Sequence, residues 1–248
     1  PLLINNINKK IKKNLSSDYI FCFNEAEKLT FEKVINGQCI ITGSILNNQV
    51  EKKKFKREKN ILFLSVFRSR KSKYFSTEYN EYFREVTYDE YFQLEKKLIN
   101  FLIKYSKKHQ FNLLICGTRE SDYLSEKEKK FYQKLIGKKN WKYIQKTSRD
   151  SNYILSDQSE ITVSIESCLG YESFARGNKV AFFSCRGSHL NIKNLDFKLD
   201  NVKFKNEGPF WTSKYNEQRF IEILDQLILI NDSEWKKYLE NYRNNFFY

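Results

Sequence analysis

Short apolar runs alternate with amphipathic stretches along most of the chain. Asp18–Phe23 (DYIFCF) reads as a buried strand and Asn24–Ile35 as a helix with Ala26, Leu29, Val34 and Ile35 on its apolar side. After Gly37, Gln38–Thr42 (QCIIT) reads as a second strand. From Ile61 the alternation becomes regular. Ile61–Ser65 (ILFLS), Phe111–Cys116 (FNLLIC), Trp141–Gln145, Ile161–Ile165 and Lys179–Phe183 (KVAFF) have the length and content of strands. Between them, Tyr91–Lys107 carries Leu94, Leu98, Leu102 and Tyr105 at helical spacing, and Ser125–Leu135, Ser151–Asp157 and Cys168–Arg176 read as further helices. Phe220, Ile223, Leu224, Leu227 and Ile228 mark one amphipathic helix near the C-terminus, and another starts near Ser233.

Strands of four to six apolar residues alternating with helices predict an α/β fold around a parallel sheet. The polar, lysine-rich stretch Gln49–Asn60 is the best linker in the chain, so residues 1–48 are expected to belong to one unit and 61–230 to a second, with a final helix over 231–248. At 248 residues with 40% hydrophobic and 16% aromatic content, a packed core is expected. No apolar stretch reaches the roughly 18–20 residues of a membrane span, and no leader is visible at the N-terminus, which leads to the expectation of a cytoplasmic protein. The chain has no methionine and starts at Pro1, so it is expected to be a piece of a longer one. Its five cysteines are odd in number and form no CxxC pair, which is the usage of a reducing compartment.

The formal net charge of +14 invites a nucleic-acid reading. Lysine, however, outnumbers arginine, and the charge is spread along the chain apart from the run Lys52–Lys59. That pattern fits an AT-rich genome, a phosphate-bearing substrate or peripheral contact with anionic membrane better than it fits nucleic acid.

Candidate chemistry concentrates in Ser164–Arg186. A strand ending at Ile165 is followed by a helix, and in open parallel sheets ligands bind at the carboxyl ends of the strands. The helix start offers unpaired N–H groups and a positive dipole end to a phosphate. Ser167 is placed to cap that helix or to bond a phosphate oxygen, Gly170 to admit a ligand closely, and Glu172 to accept the two hydroxyls of a ribose. The same residues also fit a plain strand–helix–strand unit with a serine cap and a surface acid. Arg68 follows the strand Ile61–Ser65, and Gly117, Thr118 and Arg119 follow Phe111–Cys116 at the same edge. Either arginine suits a departing phosphate.

The segment also resembles the pattern S-x-LGYE-x-x-ARG-x-KVAFF of surface carbohydrate (capsule or O-antigen) biosynthesis glycosyltransferases of GT-B architecture. GSILNN (Gly43–Asn48), ILFLSVFR (Ile61–Arg68) and GPFWT (Gly208–Thr212) match the same group in order, from about residue 18 to the C-terminus. Cys168 departs from the pattern, which usually has threonine there. The resemblance implies a Rossmann-like parallel sheet domain flanked by helices, preceded by the tail of a first, acceptor-side Rossmann-like domain. It implies that the last helix crosses back to the first domain. It implies that Glu172 grips the ribose of a nucleotide-sugar donor, with Ser167, Gly170 and Tyr171 near the nucleotide and Ser65 and Arg68 facing the cleft. The expected reaction is glycosyl transfer to a surface polysaccharide or lipid-linked acceptor, by an enzyme that is cytoplasmic and at most peripheral at the membrane.

No cofactor and no metal are expected. There is no Asp-x-Asp, and the two histidines, His109 and His189, lack ligand spacing. His109 reads as structural, while His189 is a candidate for the cleft. The catalytic base is not assigned. The rival readings are a nucleotide-sugar epimerase of the same architecture, expected to carry more carboxylates and histidines, and a basic nucleic-acid-binding module.

Overall fold

The computed structural model describes residues 15–52, 55–70, 86–191 and 206–246. Lys53 and Lys54 of the lysine run, and residues 1–14 of the first expected unit, lie outside them. Strand β1 (Ser16–Cys22), helix α1 (Glu25–Phe31) and β2 (Asn36–Ile41) form a parallel two-stranded sheet with its crossover helix, followed by the one-turn α2 (Ile45–Asn48). β1 is not the buried strand that its aromatic run predicts. Tyr19, Phe21 and Phe23 alternate outward and are 58%, 59% and 43% exposed, while Cys22 is buried. A run of aromatics reads alike whether one face or both are covered, and the main contacts of this strand are with α1 and β2.

The second sheet has seven strands in the order β5-β4-β3-β6-β7-β9-β8. These are β3 (Glu58–Leu64), β4 (Asn112–Cys116), β5 (Lys142–Ile144), β6 (Ser159–Ser164), β7 (Val180–Phe183), β8 (Glu207–Gly208) and β9 (Trp211–Thr212), all parallel except β8 against β9. β3 begins at Glu58, so the last three residues of the expected linker are strand. The order reverses at β3: the chain runs outward through β4 and β5, then returns to place β6 on the other side of β3. Ile61 and Phe63 join the larger core with Leu94, Leu98 and Leu102 of α3 (Tyr88–His109) and Phe220, Ile223 and Leu224 of α8 (Glu217–Leu229). Leu62 and Leu64 join a smaller cluster with Leu114, Cys116, Leu155 and Leu169. Both faces of β3 are therefore buried, which is why parallel strands read as unbroken apolar runs. α4 (Asp122–Ile136), α5 (Ser151–Gln158), α6 (Cys168–Ala175) and α7 (Arg186–Leu190) complete the layers. α9 (Asp232–Phe246) packs on α6 and touches α1. Among the described residues no helix is long and apolar enough to cross a membrane.

Candidate active site at the carboxyl edge of the sheet

A cavity of about 190 Å³ opens where the strand order reverses. Its walls come from the ends of β3 (Leu64, Ser65) and β4 (Cys116, Thr118), the segment after β5 (Lys146, Arg149), α5 (Asn152, Tyr153) and the start of α6 (Ser167, Leu169, Glu172), with Leu46 of α2 alongside. Ligand pockets for whole molecules span roughly 300–1,000 Å³. This cavity lies below that range and opens to solvent. Four residues singled out in the sequence, Ser65, Thr118, Ser167 and Glu172, meet here.

Glu172 stands at the rim, half-buried, one turn into α6. Its Oε1 accepts the hydroxyl of Ser44, and its Oε2 accepts that of Tyr153 at 3.0 Å. Burial and the Glu172 carboxylate both push the Tyr153 phenol above its usual range, so it stays a donor. Ser167 takes the N-cap position of α6, yet its hydroxyl makes no capping bond. Lys146 pairs with Glu120 at 2.7 Å and Arg149 with Gln49, both close enough to the surface to exchange these partners for a bound anion. Neither cation was visible as a site residue in the sequence, because the stretch after β5 reads only as a polar loop. Asn152 Oδ1 has no hydrogen-bond partner among the described residues, while its Nδ2 donates to the Gly117 carbonyl at 2.9 Å.

The other expected residues sit differently. The Ser65 hydroxyl is committed to Glu128 and also accepts from Tyr132 at 2.9 Å and from the Phe67 N–H at 3.1 Å. Thr118 gives its N–H to Glu128 at 3.0 Å, and the Tyr143 hydroxyl reaches the same carboxylate at 3.1 Å. Glu128 is fully buried on α4 and ties together the ends of β3, β4 and β5. Ser65 and Thr118 therefore shape the cavity more than they offer it free polar groups. Gly170 does not open space for a ligand: a Cβ there would strike the Ser164 side chain, so the glycine lets α6 sit close on β6. Gly117 likewise makes room for the Tyr143 ring and hydroxyl. Tyr171 lies against Phe182 with centroids 5.0 Å apart, in the core and not in the cavity. Arg68 and the exposed Arg119 are not among the cavity walls.

Arg68 instead acts on a second charged cluster, between α3 and the ends of β6 and β7. Arg186, 1% exposed, holds Glu95 through bonds of 2.6 and 3.2 Å and Glu166 at 2.9 Å, with its guanidinium 3.7 Å from the Tyr91 ring centroid. Burial pushes the Glu95 carboxyl up against the pull of Arg186. Burial acts the same way on Glu166, but Arg186, the Tyr91 hydroxyl and Arg68 together hold it below the usual carboxylate range. His189, on α7, lines no part of the cavity. Burial, then Lys97 and Arg186, lower its pKa. His109 stacks on Tyr105 at 4.2 Å, a packing role. All five cysteines are free of disulfides. Among the described residues no three His, Cys, Asp or Glu side chains gather into a cation site.

Several solved structures are similar to this chain at low identity. TarM is 16% identical with a TM-score of 0.48, the match covering 99% of this chain and 42% of that one. The wall teichoic acid polymerase TagF is 11% identical with a TM-score of 0.49, covering 98% and 56%. The UDP-GlcNAc 2-epimerase from Neisseria meningitidis, bound to UDP-GlcNAc, is 17% identical with a TM-score of 0.45, covering 92% and 56%. The chain spans about half the length of these proteins. No curated protein matches it. A protein family described as "putative O-antigen biosynthesis protein" matches residues 4–247, and the chain belongs to that family.

Proposed function

We propose that this chain is the donor-binding part of a metal-independent glycosyltransferase that moves a sugar from a nucleotide-activated donor to a surface polysaccharide or lipid-linked acceptor. The observation that carries the reading is the cavity at the reversal of strand order, with a rim carboxylate one turn inside a helix and two cations beside it. Such a crevice is where open α/β sheets bind nucleotides. In this reading Glu172 accepts the ribose hydroxyls. The N–H groups at the start of α6, the uncapped Ser167 hydroxyl, Lys146 and Arg149 stabilise the phosphate charge that grows as the glycosidic bond breaks. Those cations take the place of a divalent ion. Membership in an O-antigen biosynthesis family supports a carbohydrate acceptor. The two-stranded unit of β1, α1 and β2 belongs, in the same reading, to an acceptor-side domain, and the reaction takes place at the cytoplasmic face of the membrane.

Glu172→Gln is the direct test. The amide keeps the shape but turns one acceptor oxygen into a donor, so affinity for the preferred sugar nucleotide is expected to fall about tenfold or more. Titration against CMP-, UDP- and GDP-linked sugars measures this, and equal affinity in both proteins would remove Glu172 from the site. In the same titration, saturating EDTA is expected to leave the affinity unchanged. Binding that is lost in EDTA and regained with manganese would overturn the metal-free mechanism.

A further inference from the structure

Helices α5 and α6 lie side by side and are joined by two rungs. Tyr153 and Asp157 stand four residues apart on α5, and Glu172 and Arg176 stand four apart on α6 and its C-cap. Each pair therefore shares one helical face. The first rung is Tyr153 to Glu172 at 3.0 Å. The second is Asp157 to Arg176 through two bonds of 3.0 and 2.5 Å. The short α2 docks across both: Ser44 donates to Glu172 Oε1, and Asn47 Oδ1 accepts from Arg176 at 3.1 Å. Ser44 is 2% exposed, and its hydroxyl oxygen also accepts the Asn47 N–H at 3.2 Å, so its only proton is directed at Glu172.

We infer that Ser44 and Tyr153 are positioning residues for Glu172, each satisfying one carboxylate oxygen and leaving the other acceptor site of that oxygen for one of two vicinal ribose hydroxyls. The inference rests on the ribose reading of Glu172. A carboxylate offers about four acceptor sites, and two donors on opposite oxygens fix its plane. A fixed plane lets a diol bind both oxygens without first ordering the side chain. Discrimination between ribose and 2′-deoxyribose thus depends on a residue that lies ahead of β3, in the GSILNN segment. Ser44 is the N-cap of α2, and the docking of that helix on α6 brings its hydroxyl to the nucleotide site.

The test is calorimetric titration of the 248-residue chain with UDP, CDP and GDP and their 2′-deoxy counterparts. The unmodified chain is expected to favour its best ribonucleotide over the deoxy form by about tenfold. In Ser44→Ala the ribonucleotide should weaken by about fivefold or more while the deoxynucleotide barely changes, so the preference shrinks. Tyr153→Phe should do the same, and Ser44→Thr should restore the preference. The ratio of the two affinities does not respond to a general loss of stability from the missing cap, which separates positioning from structural damage. An unchanged ratio in Ser44→Ala, with a collapsed ratio in Glu172→Gln, overturns the positioning role and leaves the ribose reading standing. An unchanged ratio in Glu172→Gln, or no saturable binding of any of these nucleotides to the unmodified chain, overturns both.

Discussion

Arg186→Met is expected to destabilise the chain by about 3–5 kcal/mol, the cost of removing one partner from a buried ion pair. The methionine fills much of the volume but leaves Glu95, 0% exposed, without Arg186, and takes from Glu166 one of the groups that hold it, beside Arg68 and the Tyr91 hydroxyl. The Tyr91 carbonyl loses its 2.6 Å bond as well. Arg186→Lys should recover only part of the loss, because an ammonium cannot reproduce the fork that spans Glu95 and Glu166. Adding Glu95→Leu to Arg186→Met should regain stability by removing the stranded charge. Denaturant unfolding of the single and double variants measures both effects. A loss below about 1 kcal/mol for Arg186→Met, the scale of a solvated pair, would mean that the cluster is wetter than its burial indicates.

Arg176→Met is expected to cost a similar 3–5 kcal/mol, for a different set of contacts. Asp157, 6% exposed, would lose both bonds to Arg176, leaving, among the described residues, the Asn178 amide at 2.8 Å. Arg176 also holds Asn47 and the carbonyls of Val50 and Glu51, and its own carbonyl accepts from Lys52. Losing it should therefore release the segment that joins the two sheets. Limited proteolysis is expected to cut the variant in residues 47–57 much faster than the unmodified chain. Equal cleavage rates would show that the segment is held mainly by other contacts, such as the buried Val50.

The run of alternating elements was legible in the sequence because a strand buried on both faces, such as ILFLS, has few other readings. The carboxyl edge where the candidate cavity opens was legible from that alternation. What the sequence hid is the pairing of polar groups across distance. Glu95 and Arg186 are 91 residues apart, Ser65 and Glu128 are 63 apart, and Ser44 and Glu172 are 128 apart. No local spacing links such partners, and each acid reads as a solvated face of its helix until the fold brings its cation or hydroxyl to it. The arginine of ARG shows in the sequence only as part of a motif, and its hold on residues 47–51 depends on the position of α2. Lys146 and Arg149, which line the cavity, give no local signal for the converse reason: a polar loop does not show which strand end it faces.

Gly170 shows how an absent methyl group can govern a distant atom. With a side chain there, the first turn of α6 would have to rise off Ser164, and Ser167 and Glu172 would rise with it, away from the ends of β3 and β4. The depth of the cavity is therefore set from beneath, by a contact that lies behind its walls. Gly117 does the same on the opposite wall, where the Tyr143 ring takes the space that a Cβ would need. The two glycines act as spacers that fix the gap between the walls, so a larger residue at either would move a wall and change the width of the cavity.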